Sequence, residues 1–128
     1  MRLLLDTHAL LWAVGDPERL SVRARELIGG GDNELVVSAA SAWEIATKHR
    51  IGRLPGAERL LASWHESLRR LRAQASPVDH AQALRAGGYQ VAHRDPFDRL
   101  LAATAELAAV PLLTIDGAFV DFPVTTIW

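Results

Sequence analysis

An α/β domain in three layers, with helices on both faces of a central, mainly parallel sheet of four to five strands, follows from three features of the sequence. Short runs of Leu, Val and Ile recur along the chain and are apolar throughout rather than alternating, the pattern of strands covered on both faces. Segments with apolar residues at helical spacing separate those runs, as in a parallel α/β sheet. At 128 residues, 49% hydrophobic and 23% charged, the chain suits one domain with one core, spanning 1–128.

The elements follow in order. Arg2 to Leu5 reads as a strand passing directly into a short helix that starts at Thr7 and ends near Gly15. Ser21 to Ile28 reads as a second helix, closed by Gly29, Gly30 and Gly31, a run whose conformational entropy opposes continued helix. Leu35 to Val37 is a short second strand, and Ser41 to His49 returns to helical spacing until Gly52 and Pro55 break it. In Ala57 to Leu71 the residues Leu60, Leu61, Trp64, Leu68 and Leu71 form the apolar stripe of an amphipathic helix, more consistent with packing than with an interface. Ala73 to Val78 is a third strand, followed by a helix from Asp79 to Ala86 that Gly87 and Gly88 stop. Asp95 and Pro96 open a largely apolar, buried helix, Phe97 to Ala109, and Leu112 to Ile115 and Val124 to Ile127 close the sheet.

Composition excludes several classes of function. The chain has no cysteine, which removes disulfides, thiol catalysis and thiolate zinc sites. No apolar run approaches the length of a membrane span and the N-terminus lacks the regions of a signal peptide, so a cytoplasmic protein is expected. Net charge is −1, yet the charge is uneven: Lys48, Arg50, Arg53, Arg59, Arg69, Arg70 and Arg72 crowd one segment.

In parallel sheets, ligands bind beyond the carboxyl ends of the strands. Four acidic residues fall at that edge: Asp6 after the first strand, Glu44 after the second, Asp98 in the first turn of the buried helix, and Asp116 at the end of Leu112 to Ile115. Each has an ordinary structural explanation. Asp6 suits a helix N-cap, Ser41 with Glu44 suits a capping box, and Glu44 with Lys48 suits an exposed i, i+4 ion pair. Asp95, Pro96 and Asp98 suit the opening of a helix, and Asp116 with Gly117 a turn. Those explanations do not account for four carboxylates at one sheet edge, where charges 4 Å apart repel by about 4 kcal/mol at an effective dielectric near 20. Retained protons or a divalent cation must compensate. Oxygen donors without cysteine favour Mg²⁺ or Mn²⁺ over zinc. The histidines His8, His49, His65, His80 and His93 show no ligand pair at i, i+3 or i, i+4 and read as surface or packing residues.

The stretches LLLDTHALLW, SAASAWEIATKHRIGRL, HRDPFDRLLAATA and LLTIDGAF, in that order, resemble the PIN-domain ribonucleases, specifically the VapC-type toxins of bacterial type II toxin–antitoxin pairs. The resemblance runs from Met1 to the C-terminus and places the metal-binding acidic residues at Asp6, Glu44, Asp98 and Asp116, with Asp95 as a helix cap. Thr104 stands where many relatives have Gln. It implies an endoribonuclease in which Mg²⁺ or Mn²⁺ activates water for attack on an RNA phosphate, tRNA or rRNA being the expected substrate class. Further implications are a VapB-type antitoxin partner and a homodimer. The basic segment from Lys48 to Arg72 then suits a phosphate track beside the acidic site, with Lys48, Arg50, Arg53 and Arg99 as expected RNA contacts, and equally suits a solvated arginine-rich helix face. Two other enzyme classes fit less well. A haloacid-dehalogenase-like phosphatase needs a second aspartate where His8 stands, and a receiver domain needs an early acidic pair and a late lysine that are missing. A catalytically silent PIN-like binding module is the non-enzymatic alternative.

Overall fold

The computed structural model describes residues 1–128. It contains the strands β1 (Arg2–Leu5), β2 (Glu34–Ser38), β3 (Ala73–Ser76), β4 (Leu112–Leu113) and β5 (Thr126–Ile127), all parallel, in the spatial order β3-β2-β1-β4-β5. The chain adds β2 and β3 to one side of β1, then crosses back to lay β4 and β5 on the other. The strand order thus reverses between β1 and β4, where such sheets open a crevice.

The helices are α1 (Thr7–Gly15), α2 (Val22–Gly29), α3 (Ala39–Arg50), α4 (Glu58–Ala62), α5 (Trp64–Leu71), α6 (His80–Gly88) and α7 (Pro96–Ala108). Side-chain alternation along the strands divides them into two layers. Leu3, Leu5, Leu35, Val37 and Leu113 point to one face and pack with residues of α1, α2, α4 and α5. Leu4, Val36 and Leu112 point to the other, against α6, α7 and the aromatic pair Phe119 and Phe122. Apolar residues at successive strand positions are therefore each used, one per face, as the unbroken apolar runs imply. None of the helices is long and apolar enough to cross a membrane.

Three departures from the sequence expectation have local causes. The amphipathic segment is two helices, broken at Ser63, whose backbone leaves the helical region and whose hydroxyl donates to the Arg59 carbonyl at 2.6 Å. Such back-bonding by serine competes with the helical ladder. The apolar stripe survives the break: Leu60 and Leu68 are buried, and Leu61, Trp64 and Leu71 pack against them. Helix α6 runs through Gly87 and Gly88 rather than stopping before them, because the Arg99 guanidinium accepts the role of a C-terminal cap, donating to the carbonyls of Ala86 and Gly87. Helix α3 starts at Ala39, capped by Ser38, whose Oγ accepts from the Ala40 amide at 3.0 Å. The Ser41–Glu44 capping box is accordingly not formed, and Glu44 lies past the first turn.

Candidate metal centre

Asp6 leaves β1 with its amide bonded to the Leu113 carbonyl of β4 at 3.1 Å, so the two central strands fix its backbone. Its Oδ1 accepts from the Ala9 amide at 2.7 Å, making Asp6 the N-cap of α1, and its Oδ2 accepts from the Thr114 hydroxyl. The side chain is buried. Burial pushes its pKa upward against the pull of those two hydrogen bonds and of His8, with Asp116 adding repulsion. Capping is thus correct for Asp6, but a cap in a dry pocket carries a charge that a surface cap does not.

Thr7, the next residue, carries the link to the second half of the site. Its hydroxyl donates to Glu44 Oε1 and lies 3.1 Å from Ser41 Oγ. Glu44 is only 3% exposed, and its Oε2 accepts from the Lys48 ammonium. The i, i+4 pair expected on an open face is therefore formed with its acidic member inside the protein. Desolvation alone would lower the Lys48 pKa. The bond to Glu44 and the fields of Glu44, Asp95 and Asp98 outweigh it and hold the ammonium above the usual range.

Asp95 caps α7 by accepting from the amides of Phe97 and Asp98 at 2.8 and 3.2 Å, with Pro96 at the first helical position. This places Asp98 in the first turn, where its Oδ2 meets His93 Nε2 at 2.7 Å. Burial pushes the Asp98 carboxyl up to about 6, helped by the nearby Asp95 and Glu44 and opposed by His93. Carboxylate oxygens of Glu44, Asp95 and Asp98 all lie within 4.8 Å of one another.

Two members of this group escaped the sequence reading. Asp95 is the expected cap, but it also turns a carboxylate oxygen into the cluster; its spacing of three from Asp98 put both on one helix turn and was the available signal. His93, expected at the surface or in packing, contacts Asp98 across a non-helical loop, for which periodicity offers no signal. That loop is tied by Arg99, whose Nε, Nη1 and Nη2 donate to the carbonyls of Ala86, Gly87, Tyr89, Val91 and His93. Five acceptors match the five N–H donors of a guanidinium, so Arg99 acts as a loop clamp in this structure.

Asp116 is exposed three residues beyond β4 and caps a short 3-10 turn, Gly117–Asp121, accepting from the Ala118 amide at 2.9 Å. Its own amide donates to Thr114 Oγ at 3.0 Å, so Thr114 joins Asp116 to Asp6. Asp6, Thr114 and Asp116 thus form one hydrogen-bonded group and Glu44, Asp95 and Asp98 a carboxylate cluster that does not include Asp6 or Asp116; Thr7, next to Asp6 and bonded to Glu44, links the two. Arg50 and Arg53 are exposed and unpaired.

The donor set fits a hard divalent cation. All candidate ligands are carboxylate oxygens, there is no thiolate, and the three clustered carboxylates face one ammonium, leaving a net charge of two to compensate. Protonation of Asp98 is the alternative, since its pKa is raised first by burial and further by the neighbouring Asp95 and Glu44.

Comparison with known proteins agrees with this architecture. Over 57 residues the chain is 39% identical to "Ribonuclease VapC16" of Mycobacterium tuberculosis (strain ATCC 25618 / H37Rv), a match spanning 44% of this chain and 40% of that protein. Among solved structures, VapBC2 from Rickettsia felis bound to a DNA fragment from its promoter is similar with a TM-score of 0.70 at 15% identity, over 99% of this chain and 98% of that one. FitAcB from Neisseria gonorrhoeae gives 0.58 at 22% identity, over 98% and 96%. A toxin–antitoxin complex from Klebsiella pneumoniae gives 0.59 at 16%, over 98% and 96%. At these identities the likeness is one of fold. The PIN domain profile matches residues 3–124, and with the sheet order and the acidic crevice described above this means that the chain belongs to the PIN domain family.

Proposed function

We propose that the protein is a metal-dependent endoribonuclease acting as the toxin of a toxin–antitoxin pair. The observation that carries this reading is the meeting of Glu44, Asp95 and Asp98 within 4.8 Å, with Asp6 tied to Asp116 through Thr114 and followed by Thr7, which bonds Glu44. Asp6, Glu44, Asp98 and Asp116 are the proposed ligand set for Mg²⁺ or Mn²⁺, to which Asp95 is added. When bound, the cation supplies water activation and neutralises charge building on a scissile RNA phosphate.

The protein's own groups supply the rest. Thr7 and Thr114 orient the carboxylates of Glu44 and Asp6 by donating to one oxygen of each. Asp95 and Pro96 hold the start of α7, and so Asp98, in a fixed direction. Lys48 anchors Glu44 through one of its three donors and keeps others for a phosphate oxygen, while Arg50 and Arg53 offer exposed positive charge to the backbone beyond. Without those cations an acidic crevice repels a polyanion.

The antitoxin partner is proposed on the likeness to toxin–antitoxin complexes. A homodimer, a cytoplasmic location and a tRNA or rRNA substrate belong to the same proposal. The test is incubation of purified protein with RNA and Mn²⁺ or Mg²⁺. Cleavage that EDTA stops, and that Asp6→Ala and Asp98→Ala abolish, is expected. RNA binding without cutting would make the protein the catalytically silent module instead.

A further inference from the structure

Trp43 is 54% exposed on α3, next in sequence to the buried Glu44. It belongs to neither core cluster, unlike Trp12, Trp64 and Trp128, which pack against the cluster built on Leu3, Leu5 and Leu35. An indole this open loses hydrophobic stabilisation, yet its position is fixed. The ring meets Phe97 at 4.6 Å between centroids and 72° between planes, and Phe97 is itself buried and immediately precedes Asp98. The Lys48 ammonium stands 5.9 Å from the centre of the same phenyl ring. Ammonium, phenyl and indole form a continuous strip leading out of the acidic cluster.

The surroundings decide what the indole meets. Ala39 and Ala46, one turn away on either side, are exposed and small, so no second large apolar side chain of α3 stands within that turn. A protein interface core needs a contiguous apolar patch. A single held aromatic ring, flanked by Lys48 and the exposed Arg50 on the same helix, matches instead the stacking platform and cationic track that bind single-stranded nucleic acid.

Resting on the nuclease reading, we infer that Trp43 stacks on the nucleobase flanking the scissile phosphate, so that the substrate is RNA with an unpaired, splayed nucleotide at the cut. Bases within a duplex have both faces covered by their neighbours and cannot reach a side-chain platform. Trp43 thereby positions the RNA strand and selects its local structure, and it takes no part in holding the metal.

The test uses a short single-stranded RNA of mixed sequence on which cleavage by the wild type has been mapped. Trp43→Ala is expected to raise KM roughly 5- to 150-fold, the range that one base–aromatic stack represents, with Mn²⁺ affinity unchanged by calorimetry; Trp43→Phe recovers most of the loss. An abasic nucleotide beside the cut reproduces the penalty in the wild type and adds nothing in Trp43→Ala. Unchanged KM in Trp43→Ala, or penalties from the variant and the abasic site that multiply, overturns the stacking assignment while leaving the nuclease intact. Loss of a dimer or of antitoxin binding in Trp43→Ala, with KM unchanged, gives this face to a protein. Absence of any cleavage by the wild type removes the nuclease reading and the stack together.

Discussion

Replacing Asp98 with asparagine separates a ligand from a structural residue, because the two roles predict opposite signs for stability. The folded protein holds the Asp98 carboxyl at about 6 against an ordinary 3.8, a difference equivalent to about 3 kcal/mol. The side chain keeps 16% exposure, so solvent screening reduces the realised penalty to about 2 kcal/mol. Asparagine removes that penalty. It also forfeits the favourable charge near the N-terminus of α7, about 0.5 kcal/mol, and can still accept from His93 through its amide oxygen. The net expectation is a gain of about 1–2 kcal/mol in metal-free protein at pH 7.5, or roughly 3–6 °C in Tm for a domain of this size. Because the folded pKa is raised, the wild type carries no penalty below about pH 3.8; the penalty grows as pH rises through about 6 and is complete above it. The stability difference between variant and wild type, measured by urea unfolding in EDTA, therefore shrinks toward acid. Excess Mn²⁺ reverses the order, since saturation at a hundredfold over Kd adds about 2.7 kcal/mol to a protein that binds it and little to the variant. A variant less stable than wild type in EDTA at neutral pH, or a difference that does not depend on pH, refutes the electrostatic reasoning.

Three other substitutions probe the groups around Asp98. Asp6→Asn keeps an oxygen for the Ala9 amide and is expected to unfold within about 1 kcal/mol of wild type in EDTA, whereas Asp6→Ala loses the cap and the Thr114 acceptor and about 1–2 kcal/mol with them, both read by chemical denaturation. Lys48→Met strands the buried Glu44 charge, so metal-free stability falls by about 2 kcal/mol while Mn²⁺ affinity by calorimetry rises about tenfold; equal or weaker affinity means that the ammonium does not compete with the cation. Arg99→Lys replaces five fixed donors by one ammonium and is expected to cost about 2–3 kcal/mol and to speed amide exchange across residues 87–93; slow exchange there would remove the clamp assigned to Arg99.

The layers of the fold were legible because each apolar strand position has a face to fill: Leu4 serves the α6–α7 side while Leu3 and Leu5 serve the other. Strand order was not. Nothing local to β4 says that it returns to the open side of β1, since that choice lies in crossovers whose packing is distributed over whole helices. Boundaries failed where a side chain from elsewhere intervened. Gly87 and Gly88 stop an isolated helix, but Arg99, a dozen residues downstream, satisfies the carbonyls they expose and lets α6 continue.

The site divides along the same physical line. The placement of Asp6, Glu44, Asp98 and Asp116 after strands or at a helix start was legible, because neighbouring residues carry that information; that Glu44 and Asp98 meet, and that Asp6 and Asp116 lie outside their cluster, was not. Treating capping and ligation as alternatives hid Asp95. A capping carboxylate engages the backbone through one oxygen, as Asp95 does with Oδ1 toward Phe97 and Asp98, and the second oxygen remains free to face a cation. The same helix start that needs a cap also gathers backbone amides at a point of positive potential. That potential lets acidic side chains from two different helices approach closely without either unfolding its own. His93 and Lys48 then meet the cluster from a loop and from one turn along α3, at contacts set by tertiary packing. Helix caps at the carboxyl edge of a parallel sheet are thus the first residues to test as ligands, and Asp95→Asn, which keeps the cap oxygen but removes the charge, is the substitution that separates the two roles: weakened Mn²⁺ binding with α7 intact by circular dichroism makes Asp95 a ligand, and unchanged binding makes it a cap alone.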